Sequence, residues 1–435
     1  MKLTRTGLSC LAVAVALAPL PADAGGLARP NPISARGIGM GGAFVAVADD
    51  PTALHFNPAG LALLPKSAVL VGGEFIVAPR TYTPDLESTF CQNNPDSEAC
   101  DPQSPSAPVR PLPVLGYVSR LKDEGVPSRM SFGVGLWNTY GGQLEYDRFT
   151  DQNIGALNET RNAVIEVVPG VAYEVNDVLA IGLAFRLGYG LFDVNTTARP
   201  STANLSATGF GAGGTVGAMV RASKTLQFGA VYRTSLTNQL TGDGTLTTSA
   251  ATIPVDVKLS QRWPQSAGAG FQWKATPKLR VMGELDWTNW SRLNTLVVEF
   301  PGNENMNQTF ILDWNDSIAV HAGVELAATD ALTVRAGYTY DTPAVPDHTI
   351  ERQFLDSHKH LAAVGASWQF SPSWRVDTAF ERTIPFGARV IEDNSDELGG
   401  WSNGANVSPA NRANPAPGEH EGTLNTFELA VQYLY

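Results

Sequence analysis

The feature that most limits how this chain can fold is a two-residue rhythm of apolar and polar side chains, running from about Lys66 to the last residue. Its clearest stretch reads Leu179, Ile181, Leu183, Phe185, Leu187, Tyr189 and Leu191, with Ala180, Gly182, Ala184, Arg186, Gly188 and Gly190 between them. Successive side chains of a strand point to opposite faces, so one face here is greasy and the other small or charged. A period of two excludes an amphipathic helix. Two all-β solutions remain: a soluble sandwich with the greasy face in its core, or a closed barrel with that face toward lipid.

Three features favour the barrel. The apolar faces are long and carry aromatics near their ends, as interfacial girdles do. The opposite faces carry charge among many glycines: Arg233; Arg280, Glu284 and Asp286; His321 and Glu325; Arg335; Arg375, Asp377 and Glu381. Tight turns such as Asn176-Asp177, Ala222-Ser223-Lys224, Thr276-Pro277-Lys278, Thr329-Asp330 and Ser371-Pro372-Ser373 alternate with longer polar loops. Outer-membrane barrels show that asymmetry, with short periplasmic turns and long extracellular loops. Counted this way the chain is a 14-stranded antiparallel transmembrane β-barrel, an even number as single-chain bacterial barrels require. The strands are expected to begin near Ser67, Arg110, Arg129, Ala163, Val178, Thr208, Thr225, Lys258, Leu279, Trp314, Leu332, Lys359, Trp374 and Leu424. Long loops are expected over Thr81 to Val109, Gly141 to Asn162 and Ile391 to Gly422. The final strand alternates Phe427, Leu429, Val431, Tyr433 and Tyr435 with Glu428, Ala430, Gln432 and Leu434. Its terminal aromatic resembles the signal read by the outer-membrane insertion machinery.

The N-terminus fits export. Lys2 and Arg5 precede an apolar run from Leu8 to Leu20, and Ala22-Asp23-Ala24 supplies a small-x-small cleavage site. Beyond Gly25 no apolar run reaches the roughly eighteen residues a spanning helix needs. A mean hydropathy of -0.08 suits a wall that is half lipid-facing and half water-facing. The net charge of -12 argues against nucleic acid, whose phosphates are met by clustered Lys and Arg. In the mature chain Cys91 and Cys100 lie in a polar, Pro-containing segment, which in an oxidising compartment reads as a disulfide clipping a surface loop. A metal pair is the alternative, with no His nearby to support it.

Residues 25–65 do not read as wall. Gly37-Ile38-Gly39-Met40-Gly41-Gly42, Ala48-Asp49-Asp50-Pro51 and Asn57-Pro58-Ala59-Gly60 are Gly-, Ala- and Pro-rich, and the glycine run lacks the Lys-Ser/Thr ending of a phosphate loop. A compact plug suits them, because so wide a lumen cannot be filled by wall side chains alone. The expected organisation is therefore a signal peptide over 1–24, an N-terminal hatch over 25–65 and a barrel over 66–435.

Ala48-Asp49-Asp50, followed after six residues by Asn57-Pro58-Ala59, resembles the hatch signature of the outer-membrane long-chain fatty-acid and hydrophobic-compound transporters, the FadL/TodX family. The resemblance continues in Tyr232-Arg233, Trp263-Pro264 leading to Gly268, Trp287-Thr288-Asn289-Trp290-Ser291, Trp314-Asn315-Asp316, Arg335-Ala336-Gly337-Tyr338 and Asp341-Thr342-Pro343. It implies a monomer without cofactor that takes up long-chain fatty acids or related hydrophobic compounds passively. The ligand would pass through an interior pocket gated by the hatch and leave by a side opening. Burying a C16 chain is worth at most about 12 kcal/mol at ~0.8 kcal/mol per methylene, which a water-filled pore would forfeit. Asn57, Pro58 and Ala59, with Asp49 and Asp50, are the hatch and gating candidates. An ordinary Asn-Pro turn is the other reading.

A carboxylate in a dry pocket calls for a cation, and Arg186, Arg233 and Arg335 are candidates; each could equally belong to a lumen salt-bridge ladder. Aromatic hydrocarbons carried by the same mechanism, or a general diffusion porin, are the alternative functions. An enzyme is not expected, because no Ser or His stands in a nucleophile arrangement. No metal site is expected either: His358-x-His360 offers two ligands without a carboxylate or Cys partner. Outer-membrane lipids, including lipopolysaccharide, complete the expected partners.

Overall fold

The computed structural model of the chain describes residues 33–106, 109, 111–123, 126–146, 156–198, 201–247, 251–350, 356–384, 389–392 and 417–435. The signal peptide expected over 1–24 lies outside them. The wall strands are β1 (Ala68–Val77), β2 (Pro111–Asp123), β3 (Val126–Glu145), β4 (Ala156–Glu174), β5 (Leu179–Ala198) and β6 (Ser201–Arg221). Four interrupted strands follow: β7 (Leu226–Arg233, then Leu236–Thr247), β8 (Thr252–Trp263, then Ser266–Lys274), β9 (Leu279–Thr288, then Thr295–Glu299) and β10 (Gln308–Ile311, then Ser317–Ala327). The wall ends with β11 (Leu332–Asp341), β12 (Lys359–Ser371), β13 (Trp374–Ile384) and β14 (Asn425–Leu434). The sheet's 18 segments thus make fourteen antiparallel strands. It closes where β1 pairs with β14, from Ala68↔Leu434 to Val77↔Asn425, and with β2 on its other edge.

The burial pattern decides between sandwich and barrel. The greasy positions of β5 lie on the surface, with Leu183 59% and Phe185 51% exposed, whereas Arg186 on the other face is 2% exposed. Glu74, Glu166, Asp377 and Glu428 are likewise buried inward. A water-soluble protein does the reverse, because exposed apolar area costs free energy in water and none in hydrocarbon.

Strand starts at the short-turn rim fall where expected: β9, β11 and β13 begin at Leu279, Leu332 and Trp374. The late expectations (Ala163, Thr208, Lys258 and Trp314) all belong to strands descending from the opposite rim, which begin at Ala156, Ser201, Thr252 and Gln308. These strands overshoot the hydrocarbon zone. Above it the outward face no longer needs to be greasy, so the alternation fades while the ladder continues. The loop expected over Gly141 to Asn162 is corrected for the same reason: β3 runs to Glu145 and β4 starts at Ala156, paired as Glu145↔Glu159. Within the loop expected over Thr81 to Val109, a short strand at Arg80–Pro84 pairs with Gly418–Gly422, which also pairs with Arg389–Ile391. Residues 393–416 of the last long loop lie outside the described residues. Cys91 and Cys100 form a disulfide in the first long loop.

One device recurs at the short-turn rim. Asn176, Ser223, Thr276, Thr329 and Ser371 each accept, through the side-chain oxygen, backbone N–H groups two and three residues on. The acceptor is followed at the third position by Leu179, Leu226, Leu279, Leu332 or Trp374, the first wall residue that re-enters the apolar zone. These side chains satisfy turn donors that no ladder can reach.

Residues 33–64 lie against the inner face of the wall. They comprise α1 (Ala35–Gly39), capped by the Ser34 side chain on Gly37 N, α2 (Ala53–Phe56) and a 3₁₀ turn at Pro58–Leu63. Wall glycines mark where this segment touches. A Cβ on Gly182 would stand 2.3 Å from Ala59 N, and one on Gly229 2.4 Å from Val45 O. One on Gly217 would stand 2.0 Å from Asn57 Oδ1, and one on Gly337 2.1 Å from Gly41 N. These four inward glycines are therefore seats for the inner segment.

Candidate functional site between the inner segment and the wall

Two linked regions lie between the inner segment and the wall, one polar and one aromatic. On the polar side, Gly41 and Gly42 take positive φ (62° and 84°), a conformation that suits glycine. The turn they make aims the Gly41 carbonyl at Thr339 Oγ1 (2.5 Å) and His321 Nδ1 (2.7 Å). The next backbone N–H groups, of Phe44 and Val45, donate to Glu284 Oε2 at 2.8 and 2.7 Å. Asn57 Nδ2 donates to Val45 O (2.9 Å) and to the wall at Ala218 O (3.1 Å), while its Oδ1 accepts from Ala59 N. Pro58 opens the 3₁₀ turn directly after it, and Ala59 packs on Gly182.

Asp49 and Asp50, adjacent in sequence, serve different ends. Asp50 Oδ1 accepts from Thr52 N (2.8 Å) and Thr52 Oγ1, holding the start of α2. Asp49 pairs with Arg36 of α1 and, at 3.5 Å, with Arg280 of the wall. Arg280 also reaches Glu325, to which Arg335 Nε donates at 2.7 Å; Arg335 Nη1 continues to Ser367 Oγ and so to Asp377, Arg375 and Gln432. Arg335 is thus a rung of a ladder between wall and inner segment.

The other two candidate arginines differ from each other. Arg186 is bidentate on Glu166, with both contacts at 2.6 Å, and gives its remaining nitrogen to Thr234 O at 3.0 Å. Arg233 donates to His55 O and to Ser266 Oγ (3.2 Å) and has no carboxylate within ion-pairing distance among the described residues. It lines a cavity of about 90 Å³ shared with Gly42, His55, Glu284, Asp286 and His321. So polar a lining does not suit an alkyl chain, whose entry would strip those groups of partners.

Apolar surface stands next to it. The β2–β3 ladder stops at Leu115↔Leu136, and Thr139 is an extra residue in β3, so the pairing with β4 passes from Asn138↔Ile165 to Tyr140↔Val164. That bulge resets the alternation and sends both Trp137 and Tyr140 inward. Gly135 leaves the space the Trp137 indole occupies. Tyr140 stacks on Trp263 at 4.8 Å and meets Trp290 edge-on at 5.8 Å; Trp290 meets Trp314 at 5.2 Å. Val164, Leu236, Val345 and Ile350 pack in the same cluster. Trp263 is the last inward residue of the first β8 segment, still paired with Leu236, while the breaks in β9 and β10 free Trp290 and Trp314 to turn inward. The Trp137 and Trp290 indole nitrogens and the Tyr140 hydroxyl are buried without a hydrogen-bond partner among the described residues. Leu236 of this cluster pairs with Trp263 and follows Arg233 by three residues, which places the guanidinium and the aromatic cluster on neighbouring stretches of the same strand.

From the sequence, Trp263, Trp290 and Trp314 stood out as separate motifs, and their convergence was not read. Trp137 and Tyr140 were missed altogether. The available signal was the failure of alternation from Trp137 to Tyr140, ending in Gly141-Gly142, which read instead as the onset of a loop.

Comparison with known proteins agrees with this geometry. Residues 15–413 match the family model described as outer membrane protein transport protein (OMPP1/FadL/TodX). Outer membrane protein P1 of Haemophilus influenzae is 24% identical over 418 residues, covering 86% of this chain and 88% of that protein. Among solved structures, a FadL homologue of Pseudomonas aeruginosa superposes with a TM-score of 0.74 at 16% identity, covering 94% of this chain and 99% of the other. The toluene transporter TbuX of Ralstonia pickettii superposes with a TM-score of 0.69 at 16% identity, with the same coverage.

Proposed function

Because the chain belongs to the OMPP1/FadL/TodX family of outer membrane transport proteins, and so carries hydrophobic compounds across that membrane, we propose that its substrates are long-chain fatty acids or similar acidic amphiphiles. One observation carries this reading: among the described residues Arg233 alone of the three candidate cations has no carboxylate partner, and it stands three residues before Leu236 of a buried aromatic cluster whose Tyr140 hydroxyl has no hydrogen-bond partner among those residues either. A ligand carboxylate received there would satisfy both groups, while its chain lay against Tyr140, Trp263, Trp290 and Trp314. Residues 33–64 act in this reading as a hatch. Asn57 latches the hatch to the wall through Ala218 O, Pro58 fixes the corner, Asp49 links Arg36 of α1 to Arg280 of the wall, and Asp50 holds the start of α2. Release requires the hatch to shift, because a site that satisfies the ligand fully would otherwise retain it.

The second reading, an aromatic hydrocarbon as substrate, is favoured by the stacked Tyr140 and Trp rings, which need no cation. The Arg233→Gln variant separates the two. A charge-assisted hydrogen bond is worth about 1.5–3 kcal/mol, so palmitate affinity should fall roughly tenfold to hundredfold while toluene binding stays within about twofold. Unchanged palmitate binding in a correctly inserted variant would remove Arg233 from the site and favour the hydrocarbon.

A further inference from the structure

Lipid-facing positions of a transmembrane strand are normally apolar, yet Arg382 of β13 points outward between Phe380 and Ile384, both outward and about 40% exposed. Such a cation is costly at the membrane midplane and nearly free at the interface. Arg382 stands eight residues above the short-turn start of β13 at Trp374. At about 3.3 Å per residue and a tilt near 40°, that is roughly 20 Å up a band about 25 Å tall. Its side chain can therefore extend to the outer headgroup level. The aromatic girdles agree with this placement. Trp368, Phe370, Trp374, Tyr433 and Tyr435 are outward near the short-turn end, and Tyr338 and Tyr340 are outward near the other.

Around Arg382 the neighbouring strands form a shallow cup. Ala362 of β12 is directly opposite both Arg382 and, on its other side, Tyr338. One row above, His360 lies between Tyr340 and Ile384. The small, exposed Ala362 is the floor, with Arg382 and Tyr338 at its sides and His360 at its upper edge. The Tyr338 hydroxyl is bonded to His360 Nδ1 at 2.5 Å, and the Tyr340 hydroxyl to His358 Nδ1 at 2.8 Å with the rings stacked. Both imidazoles are thus held through Nδ1, which turns Nε2 away from the pinning tyrosine. On its other side Arg382 is opposite Asn425 of β14, and no ion pair joins Arg382 to a carboxylate among the described residues.

We propose that this cup on β11–β13 binds a phosphate of a phosphorylated glycolipid in the outer leaflet, of the lipopolysaccharide type. A guanidinium meets phosphate in a fork that a lysine cannot reproduce. The tyrosines supply amphipathic walls at the headgroup level, and the acyl chains lie on the outward apolar residues below, among them Phe380 and Val364. Sitting on the outer face, the cup shares no residue with the candidate site between the inner segment and the wall.

The test uses the full mature chain in nanodiscs, with occupancy by lipid A read by native mass spectrometry and barrel integrity by heat-modifiable gel migration. Arg382→Gln should weaken lipid A binding about tenfold or more. Ala362→Leu, which fills the floor without changing charge and remains lipid-compatible, should weaken it comparably. Lipid A stripped of its phosphates should bind the native chain and both variants alike. Equal retention of phosphorylated lipid A by the native chain and both variants would overturn the proposal. So would a loss on substitution that persists with the dephosphorylated lipid, or displacement by millimolar inorganic phosphate alone, which would mark a free-anion site.

Discussion

Arg186 and Arg233 carry the same group on the same inward face, yet their neighbours give them different work. Arg186 is matched by Glu166, and a buried bidentate pair is structural: removing one partner leaves an uncompensated charge. Among the described residues Arg233 meets a carbonyl and a hydroxyl and no acid, leaving its charge available. The sequence showed both residues as lumen-facing cations but could not rank them, because the ranking depends on which acids stand within 4 Å. Asp316, between the two segments of β10, shows a similar local effect outside the membrane-spanning strands. Partial burial pushes its carboxyl up, but hydrogen bonds from Ser291, Asn289 and Trp287 outweigh that and hold it below the usual carboxylate range. A carboxyl held low in the folded chain contributes stability that is complete above its unfolded value, near 3.9 for aspartate, and is lost as pH falls through the folded value. Resistance to denaturant should therefore fall as the pH drops below about 4 in the native chain, and that fall should shrink in Asp316→Asn. An identical pH profile for the two would mean the three donors contribute nothing.

At the scale of elements, the turns were read correctly and their chemistry only partly. Clusters such as Thr276-Pro277-Lys278 announce a turn from composition, but that Thr276 Oγ1 accepts from both Lys278 N and Leu279 N is a matter of geometry. Replacing Thr276 by Val keeps shape and removes both acceptances, and should cost about 1 kcal/mol in equilibrium unfolding from detergent or bilayer. A loss below about 0.3 kcal/mol would show that water satisfies those donors equally well. The wall strands were legible wherever lipid touches them. They became illegible where β4, β6, β8 and β10 rise beyond lipid, and where the bulge at Thr139 turns β3 inward. In both places the two faces cease to differ in polarity, so the period of two has nothing to report.

For the whole molecule, the decisive relation is between the inner segment and the glycines of the wall. Gly217 leaves room for Asn57 and Pro58, Gly182 for Ala59, and Gly229 for Val45 and Ala46. If the segment is a hatch seated on these glycines, Gly217→Leu should unseat it while leaving the outward face intact. Liposomes carrying that variant should then pass small sugars several-fold faster than those carrying the native chain, and palmitate uptake should fall. Asn57→Ala should lower palmitate uptake with a smaller rise in sugar flux. Brisk sugar flux through the native barrel itself would instead point to a general diffusion pore.

By itself the sequence determined a fourteen-stranded all-β wall, its lipid-facing side and its tight turns. Each of these depends on interactions local in sequence: alternate residues sort between lipid and lumen, and turn side chains bond backbone two or three positions away. The tertiary structure alone decided which arginine has no acid among the described residues, that Tyr140, Trp263, Trp290 and Trp314 converge, and that Arg382, His360 and Tyr338 share one cup. Those groupings join residues tens to hundreds of positions apart. Strand register and the closure of the barrel bring them together, and no short-range pattern in the chain records either.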